Sequence, residues 1–187
     1  MTIFLIIIAI LIIWVIISFN RLVTLRNQVK NAFTQIDIQL KRRHDLIPNL
    51  VESVKGAMKF EQETLTKVME ARAKAINAFQ SGNIKEGFQN ENIITQALGR
   101  LFALRESYPE LKSNQQVSQL MEELTATENK ISFARQFYND ITTKYNTAIE
   151  VFPTNIIAKM MNFTPFDLFE LPKDSQEREV PKVNLSI

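Results

Sequence analysis

The sequence predicts an all-α protein, with an N-terminal transmembrane helix continuing into a long antiparallel bundle. Three long helices are expected, the first kinked or broken near Pro48, so the bundle is three- to four-helical. Three observations carry this. Four glycines and six prolines in 187 residues leave few turns, and abundant Ala, Leu, Ile, Gln, Glu and Lys favours long helices. Ile3 to Phe19 is apolar apart from Ser18 and carries no charge. Beyond it, apolar residues return every three or four positions, the repeat of one helix face.

Residues 1–20 form the expected anchor, with Ile3, Ile7, Ile10, Trp14 and Phe19 marking the span. About 17 to 19 such residues cross a hydrocarbon core of roughly 30 Å. A cleaved leader would carry basic residues before its apolar stretch and a small-residue cleavage site after it. Here Asn20-Arg21-Leu22 follows directly, so the span is expected to be retained. Isoleucines all round the helix leave no solvent face for a buried core helix of a soluble domain. Arg21, Arg26 and Lys30 stand just past the span. By the positive-inside rule they predict a single-pass protein of the cell (inner) membrane, with the bulk of the chain cytoplasmic.

Residues 21–152 form the expected bundle. A first stripe runs through Leu22, Leu25, Val29, Phe33, Ile36 and Leu40, then Ile47, Leu50, Val54, Met58, Leu65, Val68, Ala75 and Phe79. It stops at Ser81-Gly82-Asn83, where glycine can close a helix in the left-handed conformation. Pro48 lacks an N–H, so this helix either kinks there or ends and restarts with Asp45 as N-cap. Reversal would send some 34 residues, about 50 Å, back past the roughly 33 Å climbed by residues 22 to 43. A kinked continuation towards Phe79 is therefore preferred. A second helix is expected over Ile84 to Tyr108, ended by Pro109, with a loop to Asn114. A third runs from about Gln115 to Phe152 through Leu120, Leu124, Thr127, Ile131, Tyr138, Ile141, Tyr145 and Ala148.

Residues 153–172 read as a short apolar helix through Ile156, Ile157, Met160 and Met161, then a Phe/Pro-rich segment. This stretch either folds against the bundle or serves as a docking or membrane-surface element. Residues 173–187 read as a polar extended tail, with Val183, Leu185 and Ile187 alternating.

Little chemistry can be assembled from this composition. Without cysteine there is no disulfide, thiolate metal site or thiol nucleophile. The densest polar motif, Lys41-Arg42-Arg43-His44-Asp45, holds the one histidine. Adjacent His44 and Asp45 point about 100° apart on a helix, and Ser53 lies too far along to complete a triad. Lys41 and Ile47 flank His44 where a bundle metal site wants carboxylates. No catalytic, metal or cofactor residue is assigned, and a hydrolase reading rests on His44 alone. The net charge of +2 is uneven, with eight Lys/Arg between Arg21 and Lys59 against Asp37, Asp45 and Glu52. No aromatic interleaving or nucleic-acid motif accompanies it, so no nucleic acid is expected. Arg42, Arg43, His44 and Asp45 are instead interaction candidates that pair with acids on a neighbouring helix or chain. Glu128 and Arg135, seven residues apart beside the third stripe, are expected to hold register as ion-pair partners or to face a partner.

Two stretches carry a family resemblance. Leu25-Arg26-Asn27, Asn31-Ala32-Phe33 and the run Gln35 to Val51 form one; Glu122-Glu123-Leu124, Glu128 to Asn139 and Tyr145-Asn146 form the other. Together with the anchor, Phe152-Pro153 and Pro181-Lys182-Val183, they resemble the LemA family over nearly the whole chain. The resemblance implies a bacterial membrane protein with one N-terminal span and a four-helix-type bundle, whose biochemical role is not fixed by membership. One branch of the family is linked to biogenesis of an intracellular membrane compartment.

The functional expectation is a non-enzymatic, membrane-anchored, homo-oligomeric scaffold or adaptor. Its partners are the lipid bilayer, further copies of itself and a membrane protein. If the first helix continues unreversed, Leu22, Val29, Phe33, Ile36 and Leu40 extend beyond the shorter second helix and need another chain to cover them. The alternative is a membrane-shaping or membrane-biogenesis protein.

Overall fold

The computed structural model describes residues 1–56, 58 and 61–169. Among these every regular element is a helix: α1 (Thr2–Lys55), α2 (Gln62–Gln80), α3 (Ile84–Arg105), α4 (Pro109–Ser113), α5 (Gln115–Glu150) and α6 (Thr154–Met160). The all-α reading holds. The polar tail, 173–187, and the end of the Phe/Pro-rich segment lie outside the described residues.

Pro48 lies inside α1, which neither reverses there nor restarts at Asp45. A proline in a helix interior costs about 3 kcal/mol through a lost hydrogen bond and a steric clash. Leu40, Ile47, Leu50 and Val54 are all buried on one face across that point. Full burial of each such side chain is worth about 1.5–3 kcal/mol, so packing outweighs the local defect. The expected continuation to Phe79 is corrected too. α1 ends at Lys55, Gly56 follows in a turn, and a separate α2 begins at Gln62.

The other boundaries follow the local chemistry. Gly82 takes φ +80° after α2, and the side chain of Asn83 caps α3 by accepting from the Glu86 N–H at 3.2 Å. The expected loop at Pro109–Asn114 contains one short helix, α4, with proline in its first turn. Asn114 Oδ1 then accepts from Gln116 N at 3.0 Å and Val117 N at 3.2 Å, starting α5.

Two compact units divide the chain. The first comprises Met1–Leu46 and Glu122–Leu168, where α1 and α5 run antiparallel. Arg43 meets Glu128, and the Phe33 and Tyr138 rings sit edge-on 6.0 Å apart. Leu22, Val29, Ile36, Leu40, Leu124, Ile131, Tyr138 and Tyr145 form its core. The second comprises Ile47–Met121 with Phe169, and is built around an α2–α3 hairpin. Phe79 and Phe88 pair edge-on at 5.7 Å at the hairpin's closed end, and Tyr108 Oη reaches Glu61 at 3.5 Å at its open end. Small residues on the buried face of α2 (Ala71, Ala75, Ala78) let α3 approach.

Candidate functional site

Unit 1 gathers most of the residues singled out from sequence. Arg43 continues the row Ile36, Leu40, Ile47 and is 0% exposed. Its Nη1 donates to Glu128 Oε2 at 2.5 Å, and the Glu128 side chain is 28% exposed. The adjacent Arg42 reaches Glu123 at 3.4 Å with both groups half in solvent. A buried guanidinium needs a paired acid, whereas an exposed pair contributes little. The basic motif of α1 thus pairs with acids on α5, and Glu128 takes Arg43 as partner across the helices. His44 is buried while Asp45 is exposed, so the two leave α1 on different sides. Arg135 is half-buried on α5. Among the described residues no group of three or more metal-ligating side chains gathers.

The stripe expected to need a second copy is already covered. Leu22, Val29, Ile36 and Leu40 are at most 3% exposed, and Phe33 packs on Tyr138. The physical reason is the length of α5: its 36 residues bring it down the whole of this face, which the shorter second helix would leave open.

Sequence reasoning missed the segment that follows α6. Tyr138 Oη donates to the Asp167 carbonyl at 2.8 Å and Tyr145 Oη to the Thr164 carbonyl at 2.9 Å. Asn146 clamps Phe166 with two bonds, Nδ2 donating to its carbonyl at 2.9 Å and Oδ1 accepting its N–H at 3.0 Å. Burial raises the pKa of both tyrosines, because the phenolate would lose water. Phe163 closes the lower end, edge-on to Phe19 at 6.0 Å and with the Arg26 guanidinium 5.0 Å above its ring. The signal lay in Tyr138, Tyr145 and Asn146, polar groups on or beside an apolar stripe that must find partners.

The end of unit 1 that holds the N-terminus combines three surfaces. α1 is long and apolar enough near its N-terminus to cross a membrane, and the Ile, Leu and Phe side chains from Ile3 to Ile17 are exposed. α6 buries Ile157 and Ala158, so it does fold against its unit, yet Ile156, Met160 and Met161 face outward. Between the base of α1 and the end of α5 lies a groove of about 530 Å³ lined by Trp14, Ile17, Arg21, Leu25, Lys144 and Val151, among others.

In unit 2, α3 buries three successive polar residues, Asn90, Glu91 and Asn92. Glu91 is 0% exposed and sits three residues before Ile94 on the row that continues to Leu98 and Leu101.

The model of the LemA family matches residues 32–185. Protein LemA of Metamycoplasma hominis is 28% identical over 151 residues, 81% of this chain and 68% of that protein. Magnetosome protein MamQ 2 of Paramagnetospirillum magneticum is 24% identical over 177 residues, and Magnetosome protein MamQ of Magnetospirillum gryphiswaldense 23% over 176; each match covers 81% of this chain and 64% of the relative. The chain thus spans about two thirds of the length of these relatives. The matched region takes in Arg43, Glu128 and the whole Tyr145–Asn146 clamp, the features that hold unit 1 together, and the chain belongs to the LemA family.

Proposed function

We propose that this protein is a non-enzymatic scaffold or adaptor, tethered by residues 3–19 as a single span of the cell membrane and self-associating through the outer face of α5. One observation carries the reading. Phe133 and Phe137, one turn apart, are 73% and 54% exposed and are the exposed large apolar side chains of α5. The register that pairs Arg43 with Glu128 sets Ile38, also exposed, at the height of Phe133. Each aromatic ring offers about 150–250 Å² for burial, which suits the centre of a protein contact. Arg21, Arg26 and Lys30 after the span support a cytoplasmic bundle.

The test is cross-linking and native mass spectrometry of the full-length protein in detergent. Oligomers that dissociate in the Phe133→Ser/Phe137→Ser double variant are expected, while circular dichroism stays unchanged. Monomers alone in the unmodified protein would overturn the self-association. A second reading, membrane shaping, is favoured by the outward Phe152, Ile156, Met160 and Met161 around α6. Replacing these four with serine should abolish any remodelling of vesicles seen by electron microscopy. Unchanged remodelling would exclude this surface.

A further inference from the structure

We propose that the groove between the base of α1 and the end of α5 binds one anionic phospholipid. The proposal rests on the reading of residues 3–19 as a membrane span. Along α1 the groove opens on Trp14 and Ile17, then passes Ser18, Arg21, Leu22 and Leu25. Opposite stand Val151, just past α5, and from α5 itself Ala148 and Thr147, then Lys144 and Thr143. Since the helices are antiparallel, Val151 faces the lower, apolar end and Lys144 the upper, polar end. Arg21 stands about 6 Å beyond Ile17 and about 10 Å beyond Trp14 along the axis.

Two features select the occupant. The first is continuity: the apolar floor extends the exposed surface of Ile3–Ile17, so any molecule already in the bilayer reaches it without crossing water. The second is charge. Two cations and the hydroxyls of Ser18, Thr143, Thr147 and Thr154 line the groove, and no carboxylate does. Neither Arg21 nor Lys144 has an ion-pair partner among the described residues, unlike Arg42 and Arg43 on the same unit. A phosphodiester between Arg21 and Lys144, with acyl chains descending past Trp14, satisfies both ends at once. The volume lies within the roughly 300–1,000 Å³ of ordinary small-molecule sites.

Trp14 is the sole tryptophan and lines the groove, so its fluorescence reports occupancy. The full-length protein is reconstituted into phosphatidylcholine vesicles containing either brominated phosphatidylglycerol or brominated phosphatidylcholine at equal mole fraction. Brominated phosphatidylglycerol should quench Trp14 well beyond its mole fraction, and brominated phosphatidylcholine only in proportion to it. Arg21→Gln and Lys144→Gln should each weaken the preference about fivefold. Arg21→Lys and Lys144→Arg should retain it. Equal quenching by the two lipids, or a preference that survives the double glutamine variant, would overturn the site. Millimolar inorganic phosphate should not relieve the quenching, and relief would reassign the groove to free anions. Alkaline carbonate extraction separates the two levels. Every variant should stay in the membrane pellet, and release of the unmodified protein would overturn the span itself and the lipid site with it.

Discussion

The Arg43–Glu128 pair predicts an asymmetry between its two halves. Arg43 has no solvent access, whereas more than a quarter of the Glu128 side chain does. Replacing Glu128 with glutamine removes the countercharge from a guanidinium that cannot reach water. Breaking a fully buried pair this way costs about 3–5 kcal/mol, and a smaller value, about 2–3 kcal/mol, applies here because Glu128 is part-exposed and both residues have further interactions. Replacing Arg43 with methionine keeps the packing and leaves a carboxylate that can turn to solvent, for a cost of about 1 kcal/mol or less. For a chain of this size 1 kcal/mol shifts Tm by about 2–4 °C. Thermal unfolding of the full-length protein in detergent, followed by circular dichroism, should give Glu128→Gln roughly 5–10 °C below the parent and Arg43→Met within about 4 °C of it. The double variant should resemble Arg43→Met, giving a favourable coupling in the double-mutant cycle. A larger loss for Arg43→Met than for Glu128→Gln would refute the argument that burial of the cation sets the energetics.

Three further outcomes are expected. Tyr138 and Tyr145 have pKa values raised by burial, so the folded state holds its phenolic protons more tightly than the unfolded one. Their contribution is therefore complete below the ordinary tyrosine value near 10 and is lost as pH climbs through the folded values; Tyr145→Phe should flatten that alkaline decline in Tm while costing about 1 kcal/mol near pH 7 for its lost hydrogen bond. A Cβ at Gly87 would stand 2.5 Å from the Phe79 ring, whereas one at Gly99 would meet nothing within 4 Å. Gly99→Ala should raise stability by up to about 0.8 kcal/mol in thermal unfolding, and Gly87→Ala should lower it by about 1 kcal/mol despite the same gain in helix propensity. Asn114→Ala removes two cap acceptances at the start of α5 and should cost about 1 kcal/mol in the same assay.

Periodicity and punctuation made most of the fold legible. Gly82 and Asn83 mark the α2–α3 turn because glycine tolerates positive φ and asparagine caps the next helix. At Pro48 the preferred continuation holds, because the buried row around the proline outweighs its lost hydrogen bond. The break after Lys55 left only Gly56 as a sign, in a stretch whose apolar spacing continues through Met58 to Leu65. Arg43 and Glu91 were legible in principle, since each falls on the spacing of an apolar row, but their chemistry argued for solvent. The groove and the clamp were not legible, because each depends on which heights of α5 meet α1 and on where the chain returns after α6.

That return path bears on the order in which the protein becomes complete during synthesis. Tyr138, Tyr145 and Asn146 leave the ribosome some twenty to thirty residues ahead of the carbonyls they bind at Thr164, Phe166 and Asp167. Until those later residues arrive, α5 carries unmet donors beside its apolar face. A chain interrupted just after α6 would keep every long helix yet present that face unsealed to chaperones and proteases. The last stretch of the helical unit to be translated therefore distinguishes a finished molecule from a nearly finished one.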